Sequence, residues 1–279
     1  MIRSRSYLWR GKQGLGFAGG RLGRIPLGEM TLTTESLIWL FCAGGVGGFI
    51  DSIAGGGGLI TVPALLAAGL PPQLAFGTNK AQSSVGTTVA VVRYAKGGLI
   101  SWPQVRMAAL VSFIASAFGA WVVTLVSNDL LKAIVPWLLL AIVAYVMFSP
   151  KLGEEGGAPK MQAGLFGLLF GSLLGFYDGF FGPGTGAFWT IATVALLGLE
   201  LRRATAYTKV VNLASNLGSL VVFAFKGAVL LPAAAAMVGG QLIGTYLGSG
   251  LVLAKGATLI RRVFLCVVIG IVVRLLWAR

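Results

Sequence analysis

Ten apolar segments follow one another along this chain, at residues 36–53, 58–70, 78–96, 103–126, 130–149, 162–178, 185–198, 206–225, 232–253 and 258–277. A soluble domain cannot cover that many, because 56% of the residues are hydrophobic, only 11% are charged and the mean hydropathy is +0.87. In a bilayer core every backbone N–H and C=O must be satisfied within the chain, so such segments are expected to be helices. The fold class read from the sequence is therefore an all-α polytopic membrane protein, with the lipid bilayer as its surroundings.

The ten segments form two tandem repeats of five. Asp51 aligns with Asp178 at an offset of 127. Past a two-residue insertion the offset becomes 129, and Gly69-Leu70, Ala75, Lys80, Gly98, Pro103 and Gly119 fall on Gly198-Leu199, Ala204, Lys209, Gly227, Pro232 and Gly248. A shared offset over so many Gly, Pro and Lys positions marks an internal repeat. The organisation that follows is a first transmembrane repeat at 35–149, a Pro-, Gly- and Glu-containing linker at 150–160 and a second repeat at 161–279. Residues 1–34 read as a basic tail, mobile or not native, since Met30-Thr31-Leu32-Thr33 looks like a start of its own. A signal peptide with Leu37 to Cys42 as its apolar part is disfavoured, because no small-x-small cleavage site ends it.

Six of the 22 basic residues (Arg3, Arg5, Arg10, Lys12, Arg21 and Arg24) lie in that tail, and most others flank apolar segments. The formal charge of +14 therefore suits anionic lipid headgroups, and no nucleic-acid partner is expected. Arg93, Lys96, Arg106, Lys132, Lys226, Arg261, Arg262 and Arg274 are expected to snorkel from segment ends. Cys42 and Cys266 read as small core-like residues without a disulfide.

Segments 58–70 and 185–198 have 13 and 14 residues. At ~1.5 Å per residue each reaches about 20 Å, short of the ~30 Å hydrocarbon thickness. The first two segments of each half are thus expected to form a broken or re-entrant pair meeting near mid-membrane at a glycine stretch, with three ordinary spans after it. A hairpin plus three crossings gives an odd number and an inverted repeat; one discontinuous crossing gives a parallel repeat. The inverted arrangement is favoured, and both put the two termini on one side.

The glycine stretches carry the chemistry. Gly48-Phe49-Ile50-Asp51 leads into Gly55-Gly56-Gly57-Gly58, and Gly175-Phe176-Tyr177-Asp178 into Gly182-Pro183-Gly184-Thr185-Gly186. A helix that begins at such a stretch exposes unpaired N–H groups and its positive dipole end, an anion site that Gly56, Gly57 and Gly58, and Gly184, Thr185 and Gly186, could provide. For one glycine, close helix packing is the better explanation; recurrence beside an aspartate in both halves favours the anion site. A second polar cluster opens the third segment of each half. Thr78, Asn79 and Lys80 lie in the first, and Thr205, Thr208, Lys209, Asn212, Ser215 and Asn216 in the second, at the i, i+3, i+4, i+7 spacing of one helical face. A lysine within a buried stripe needs a partner, so Lys80 and Lys209 are placed on a substrate path. Asp51 and Asp178 can be ion-pair partners of those lysines, proton carriers or helix caps, and all three stay open; their expected role is coupling or gating. Lys209→Ala and Asp178→Asn are expected to abolish flux with folding intact. The chain has no histidine, and no segment carries paired carboxylates, so catalytic residues, metal sites and cofactors are not expected, nor is enzymatic activity.

These stretches resemble the TauE/SafE family of sulfite exporters and related anion permeases, also called the toluene sulfonate uptake permease family. The resemblance runs through Gly48–Asp51, Gly58-Leu59-Ile60-Thr61-Val62-Pro63, Gly77-Thr78-Asn79-Lys80, Gly175–Gly186 and Asn212-Leu213-Ala214-Ser215-Asn216, and covers nearly all of residues 35–277. It implies a multi-pass secondary transporter of the bacterial inner membrane that moves sulfite or organosulfonate anions, coupled to protons, through a site between the two halves. A permease or channel for another small anion, such as a carboxylate, is the alternative. The two glycine breaks are expected to meet at one central anion site, with the Asp178 side more fixed and the Gly55–Gly58 side more yielding.

Overall fold

The structure, a computed structural model, describes residues 7–8, 31–148 and 156–255. Most of the tail, the linker over 149–155 and the tenth segment, with Cys266, Arg261, Arg262 and Arg274, lie outside the described residues. Among the described residues there are nine helices: α1 (Thr34–Ala54), α2 (Gly58–Ala67), α3 (Pro72–Lys96), α4 (Trp102–Leu125), α5 (Asn128–Phe148), α6 (Ala163–Phe180), α7 (Thr185–Leu197), α8 (Leu201–Phe225) and α9 (Leu231–Lys255). A two-residue antiparallel pairing of Tyr7–Leu8 with Thr31–Leu32 is the only strand structure among them.

Local sequence explains where the helices start and stop. Thr33 caps α1 by accepting from the Ser36 amide at 3.2 Å. Prolines stand at the first turns of α3 and α4, where a missing N–H costs nothing. Thr34–Ile53, Trp102–Leu125, Ala163–Phe180, Leu201–Phe225 and Leu231–Ala254 are long and apolar enough to cross a membrane, whereas the 10-residue α2 and 13-residue α7 are not.

One boundary differs from the sequence reading. α3 and α8 begin at Pro72 and Leu201, several residues before the apolar windows at 78 and 206. Gln73, Arg202 and Arg203 make the first turns polar, so a hydropathy window misses them. The lysine clusters consequently lie in the third turn rather than at the helix start.

Both short helices fold back on the helix before them. Gly57 packs against Gly47 and Asp51, and Leu40 and Ala43 share a cluster with Ala64 and Leu65, so α2 runs back along α1. α7 returns along α6 in the same way, with Phe166 and Leu174 beside Trp189, Ala192 and Leu197. The end of the linker joins this turn, since Lys160 N–H donates to the Leu196 carbonyl at 2.8 Å. The long helices α3 and α8 lie side by side and antiparallel. Gly77 near the α3 start meets Phe223 and Ala228 at the α8 end, while Tyr94 near the α3 end packs with Leu201 and Ala206 at the α8 start. Small residues set the closest helix pairs, as expected where lipid gives no hydrophobic drive for association: Gly244 of α9 lies on the Gly45 carbonyl, and Gly179 of α6 on that of Ser116.

Large apolar side chains such as Ile114, Leu173 and Ile243 cover the outside. Cys42 belongs with them, because it is exposed rather than core-like. Hydropathy cannot separate these two cases, since lipid is as apolar as a packed core. Arg93 also departs from simple snorkelling: its Nη1 donates to the Tyr246 carbonyl at 3.0 Å, and its guanidinium lies 3.9 Å over the Tyr246 ring.

Gln73 ties α3 to the end of α4. Its Nε2 donates to the carbonyls of Val126 at 2.6 Å and Val123 at 3.2 Å, and its own amide donates to Asn128 Oδ1 at 3.2 Å. Gln73→Leu is expected to leave the Val126 carbonyl without its side-chain donor, the Val123 carbonyl keeping only the Val126 amide at 3.2 Å, and to lower stability by about 1–3 kcal/mol, read by unfolding in detergent.

Candidate functional site

The tips of the two hairpins touch. α1 ends at Ala54, and Gly55 takes the left-handed conformation (φ 74°) with its amide donating to the Asp51 carbonyl at 2.9 Å. The chain turns through Gly56 and Gly57 into α2, whose first ladder bonds run from Leu59, Ile60 and Thr61 back to the Gly56 and Gly57 carbonyls. The N–H groups of Gly56, Gly57 and Gly58 precede that ladder and take no part in it. In the second tip Gly182 (φ 96°) and Gly184 (φ 84°) make the turn, and the amides of Ala187 and Phe188 return to the Gly184 carbonyl. The amides of Gly184 and Gly186 are free in the same sense; that of Thr185 bonds the Gly182 carbonyl at 3.2 Å. Gly55 lies directly on Gly186, where a Cβ at Gly55 would come within 2.6 Å of the Gly186 backbone, and one at Gly58 within 3.2 Å of Pro183 Cα. Two helix N-termini, each with a positive dipole end, therefore converge.

Beside them lie two ion pairs formed crosswise between the two halves of the chain. Lys209 Nζ on α8 is 2.9 Å from Asp51 Oδ2 on α1, and Lys80 Nζ on α3 is 2.9 Å from Asp178 Oδ1 on α6. The lysine side chains are 0% and 2% exposed, a depth at which an unpaired charge would cost several kcal/mol. Of the arrangements open for the aspartates in the sequence, the ion pair is the one found. Helix capping is not, because Gly55 N–H bonds the Asp51 backbone carbonyl instead of its carboxylate.

The two pairs are unequal. Asp178 also accepts from Ser215 Oγ at Oδ2, and Lys80 Nζ shares itself with Asn216 Oδ1 at 3.2 Å. Ser215 is fixed in turn, its carbonyl accepting from Ser116 Oγ at 2.7 Å. Among the described residues the Asp51 carboxylate accepts only from Lys209, and its side chain is 17% exposed against 6% for Asp178.

α8 links the levels of the two pairs. Asn216, level with Lys80, is two turns beyond Lys209, which separates the pairs by about 10 Å along the helix. Midway stands Asn212, 7% exposed, whose Oδ1 has no partner among the described residues. A buried amide oxygen without a partner is costly and marks a place where something else can bind.

Hydroxyls tie each short helix to its lysine-bearing neighbour at positions 129 residues apart in sequence. Thr61 Oγ1 donates to Asn79 Oδ1 at 2.6 Å, and Thr190 Oγ1 meets Thr208 Oγ1 at 3.1 Å. Thr61 and Thr190 are not among the sequence-derived candidates, although they share the 129 offset that could have found them. Ser215 belongs to the polar stripe but was not singled out. Thr185 turns inward to the Gly182 carbonyl at 2.6 Å, and Thr78 lies elsewhere, accepting from the Leu230 amide at 2.9 Å where α3 meets the α8–α9 turn.

Similarity to known proteins agrees with this architecture. The family model for the sulfite exporter TauE/SafE matches residues 40–275. A protein of Haemophilus influenzae named "Probable membrane transporter protein" is 43% identical over an alignment covering 83% of this chain and 91% of that protein. "Probable membrane transporter protein ORF9" of a Sinorhizobium species is 43% identical, covering 88% and 94%, and "Probable membrane transporter protein YfcA" of Escherichia coli is 43% identical, covering 80% and 82%. No solved structure matches the chain. With nearly the whole helical region matched, including both glycine tips and both lysine–aspartate pairs, this membrane protein belongs to the sulfite exporter TauE/SafE family.

Proposed function

We propose that the protein is a proton-coupled secondary transporter of the bacterial inner membrane that carries a small sulfur oxyanion, sulfite or an organosulfonate, bound between the two hairpin tips. The observation that carries this reading is the pair of buried lysines at two converging helix N-termini, each held by an aspartate of the other repeat. A tetrahedral or pyramidal oxyanion offers several acceptor oxygens, which suits ammonium groups and free backbone N–H groups together.

In the arrangement described, the aspartates occupy the lysines and the site is charge-balanced. An incoming anion replaces a carboxylate on its lysine. That exchange leaves a bare buried carboxylate unless a proton joins it, and this is the physical source of the coupling. Asn212 lies between the two lysine levels, Thr190 and Thr208 lie at the Lys209 level, and all three supply further polar contacts as the anion moves.

Antiparallel α3 and α8, and hairpins that open toward opposite ends of the bundle, support an inverted repeat in which the tips alternately give access from either side. Helical spans suit the inner membrane. The sulfur-oxyanion class follows the family, and the charge arrangement favours an anion over a cation or neutral solute.

The test is flux into liposomes holding the purified protein, with sulfite, thiosulfate, sulfoacetate, taurine and sulfate offered with and without a proton gradient. At least one sulfur oxyanion is expected to cross, faster when the gradient is imposed. Carriage of carboxylates with no sulfur oxyanion accepted would replace this substrate class by the carboxylate alternative.

A further inference from the structure

We infer that the two ion pairs have different duties: Asp51 carries the coupling proton while the Lys80–Asp178 pair stays formed as a fixed strut. This rests on the anion-transport reading above and adds to it which carboxylate titrates during the cycle. Asp178 is held by Lys80 and by Ser215, and Lys80 is further anchored by Asn216, so releasing Asp178 breaks a connected set of bonds. Asp51 is held by Lys209 alone among the described residues and is the more accessible of the two.

The backbone around each aspartate differs in the same sense. Tyr177 OH donates to the Pro183 carbonyl at 2.6 Å and Thr185 Oγ1 to that of Gly182, which pins the second tip. At the repeat-equivalent place of Tyr177 the first tip has Ile50, and a run of four glycines follows Asp51 in place of the Gly-Pro-Gly-Thr-Gly turn. Among the described residues neither of those two bonds has a counterpart in the first tip, whose turn is held from a side chain by Thr61 Oγ1 at the Gly57 carbonyl (3.1 Å), so it yields more readily.

Few other groups compete for the proton. α2 and α7 contain no titratable side chain. From α8 the group facing Asp51 is Lys209, with Tyr207 on the opposite side in an apolar cluster and Arg202 donating to the Leu253 carbonyl at 3.0 Å. From α3 it is Tyr94, whose hydroxyl is engaged by the Ser52 carbonyl at 2.6 Å, with Arg93 turned to Tyr246 of α9. Lys80 of α3 holds Asp178, Lys96 stands in the last turn of α3, and Arg203 in the first turn of α8 lies 3.7 Å from Glu200; on α1 itself Glu35 stands in the first turn.

The exchange balances. A proton from water joins Asp51 Oδ2 to give the neutral acid, Lys209 remains an ammonium, and one anion oxygen takes the place of the carboxylate on it. For a monoanion the net charge of the site is unchanged.

The experiment adds methanesulfonate or toluenesulfonate, neither of which titrates near neutral pH, to weakly buffered full-length protein in detergent. Anion binding and proton uptake are recorded together. The wild type is expected to take up about one proton per anion bound, Asp51→Asn to bind the anion with uptake near zero, and Asp178→Asn to keep about one proton per bound anion whatever its affinity. Asp51→Glu, which retains a carboxyl, should restore uptake with a shifted pH midpoint. Uptake that persists in Asp51→Asn, or is lost as fully in Asp178→Asn, overturns the assignment; if Asp51→Asn does not fold, an unshifted midpoint in Asp51→Glu does so. Binding of neither sulfonate to the wild type would instead defeat the anion reading, and this inference with it.

Discussion

Asp178→Ala is expected to abolish transport and to destabilise the protein by about 3–5 kcal/mol, whereas Lys80→Met combined with Asp178→Leu recovers most of the stability and none of the transport. The cause is the depth of the pair: Lys80 is 2% exposed and 2.9 Å from Asp178, so removing the carboxylate alone leaves an ammonium without a counter-charge, while Ser215 Oγ keeps only the Asn212 carbonyl at 3.1 Å. Removing both ends takes away the desolvation cost together with the attraction, which is why an apolar replacement is tolerated for folding. It is not tolerated for function, because the pair fixes the second tip, where Lys80 Nζ lies beside Gly182. The sequence alone suggested that Lys209→Ala and Asp178→Asn would leave folding intact; burial of the pairs predicts a stability cost for truncations such as Lys209→Ala and Asp178→Ala. Unfolding in detergent and flux in liposomes together check it, and a single variant as stable as the wild type would mean that the pair is hydrated.

Gly55→Ala and Gly186→Ala are expected to be nearly as damaging, through the backbone. Gly55 has φ 74°, which an alanine adopts at a cost of about 1–2 kcal/mol, and its Cβ would fall 2.6 Å from the Gly186 backbone. A Cβ on Gly186 would overlap the Gly55 carbonyl in return. Neither atom belongs to a flexible side chain, so the tips must separate, and the N–H groups that converge on the anion separate with them. Gly69→Ala supplies the control. Gly69 also has a positive φ, 88°, but nothing stands within 4 Å of the added Cβ, so it is expected to show the backbone cost of about 1–2 kcal/mol while transport continues. Equal loss of transport in Gly55→Ala and Gly69→Ala, with Gly186→Ala unaffected, would show that strain at a positive φ, and not contact of the tips, is responsible.

Much of this architecture is legible in the sequence, for identifiable reasons. Apolar runs longer than a helix needs to cross the bilayer stand out against polar turns, and two runs too short to cross mark α2 and α7. The offset from Lys80 to Lys209 sets the two lysine-bearing helices in correspondence, because two lysines inside apolar segments are rare enough to align on. What periodicity cannot give is partnership across the chain: Lys80 pairs with an aspartate 98 residues away and Lys209 with one 158 residues away, and which aspartate belongs to which lysine depends on how the halves pack. Thr61 and Thr190 escaped notice because a single threonine in an apolar helix commonly bonds its own backbone, as both also do here. Only the fold shows that each faces a residue of the lysine-bearing helix as well.

The central claim is that the transported anion takes the place that Asp51 holds on Lys209. It fixes the sign of two effects on binding, measured by titration calorimetry with sulfite and with an organosulfonate at low salt. Asp51→Asn removes the internal competitor and is predicted to tighten binding roughly tenfold, equivalent to about 1.4 kcal/mol, while Lys209→Met is predicted to weaken it by at least as much. Binding to Lys209→Met as tight as to the wild type, with Asp51→Asn unchanged, would contradict it.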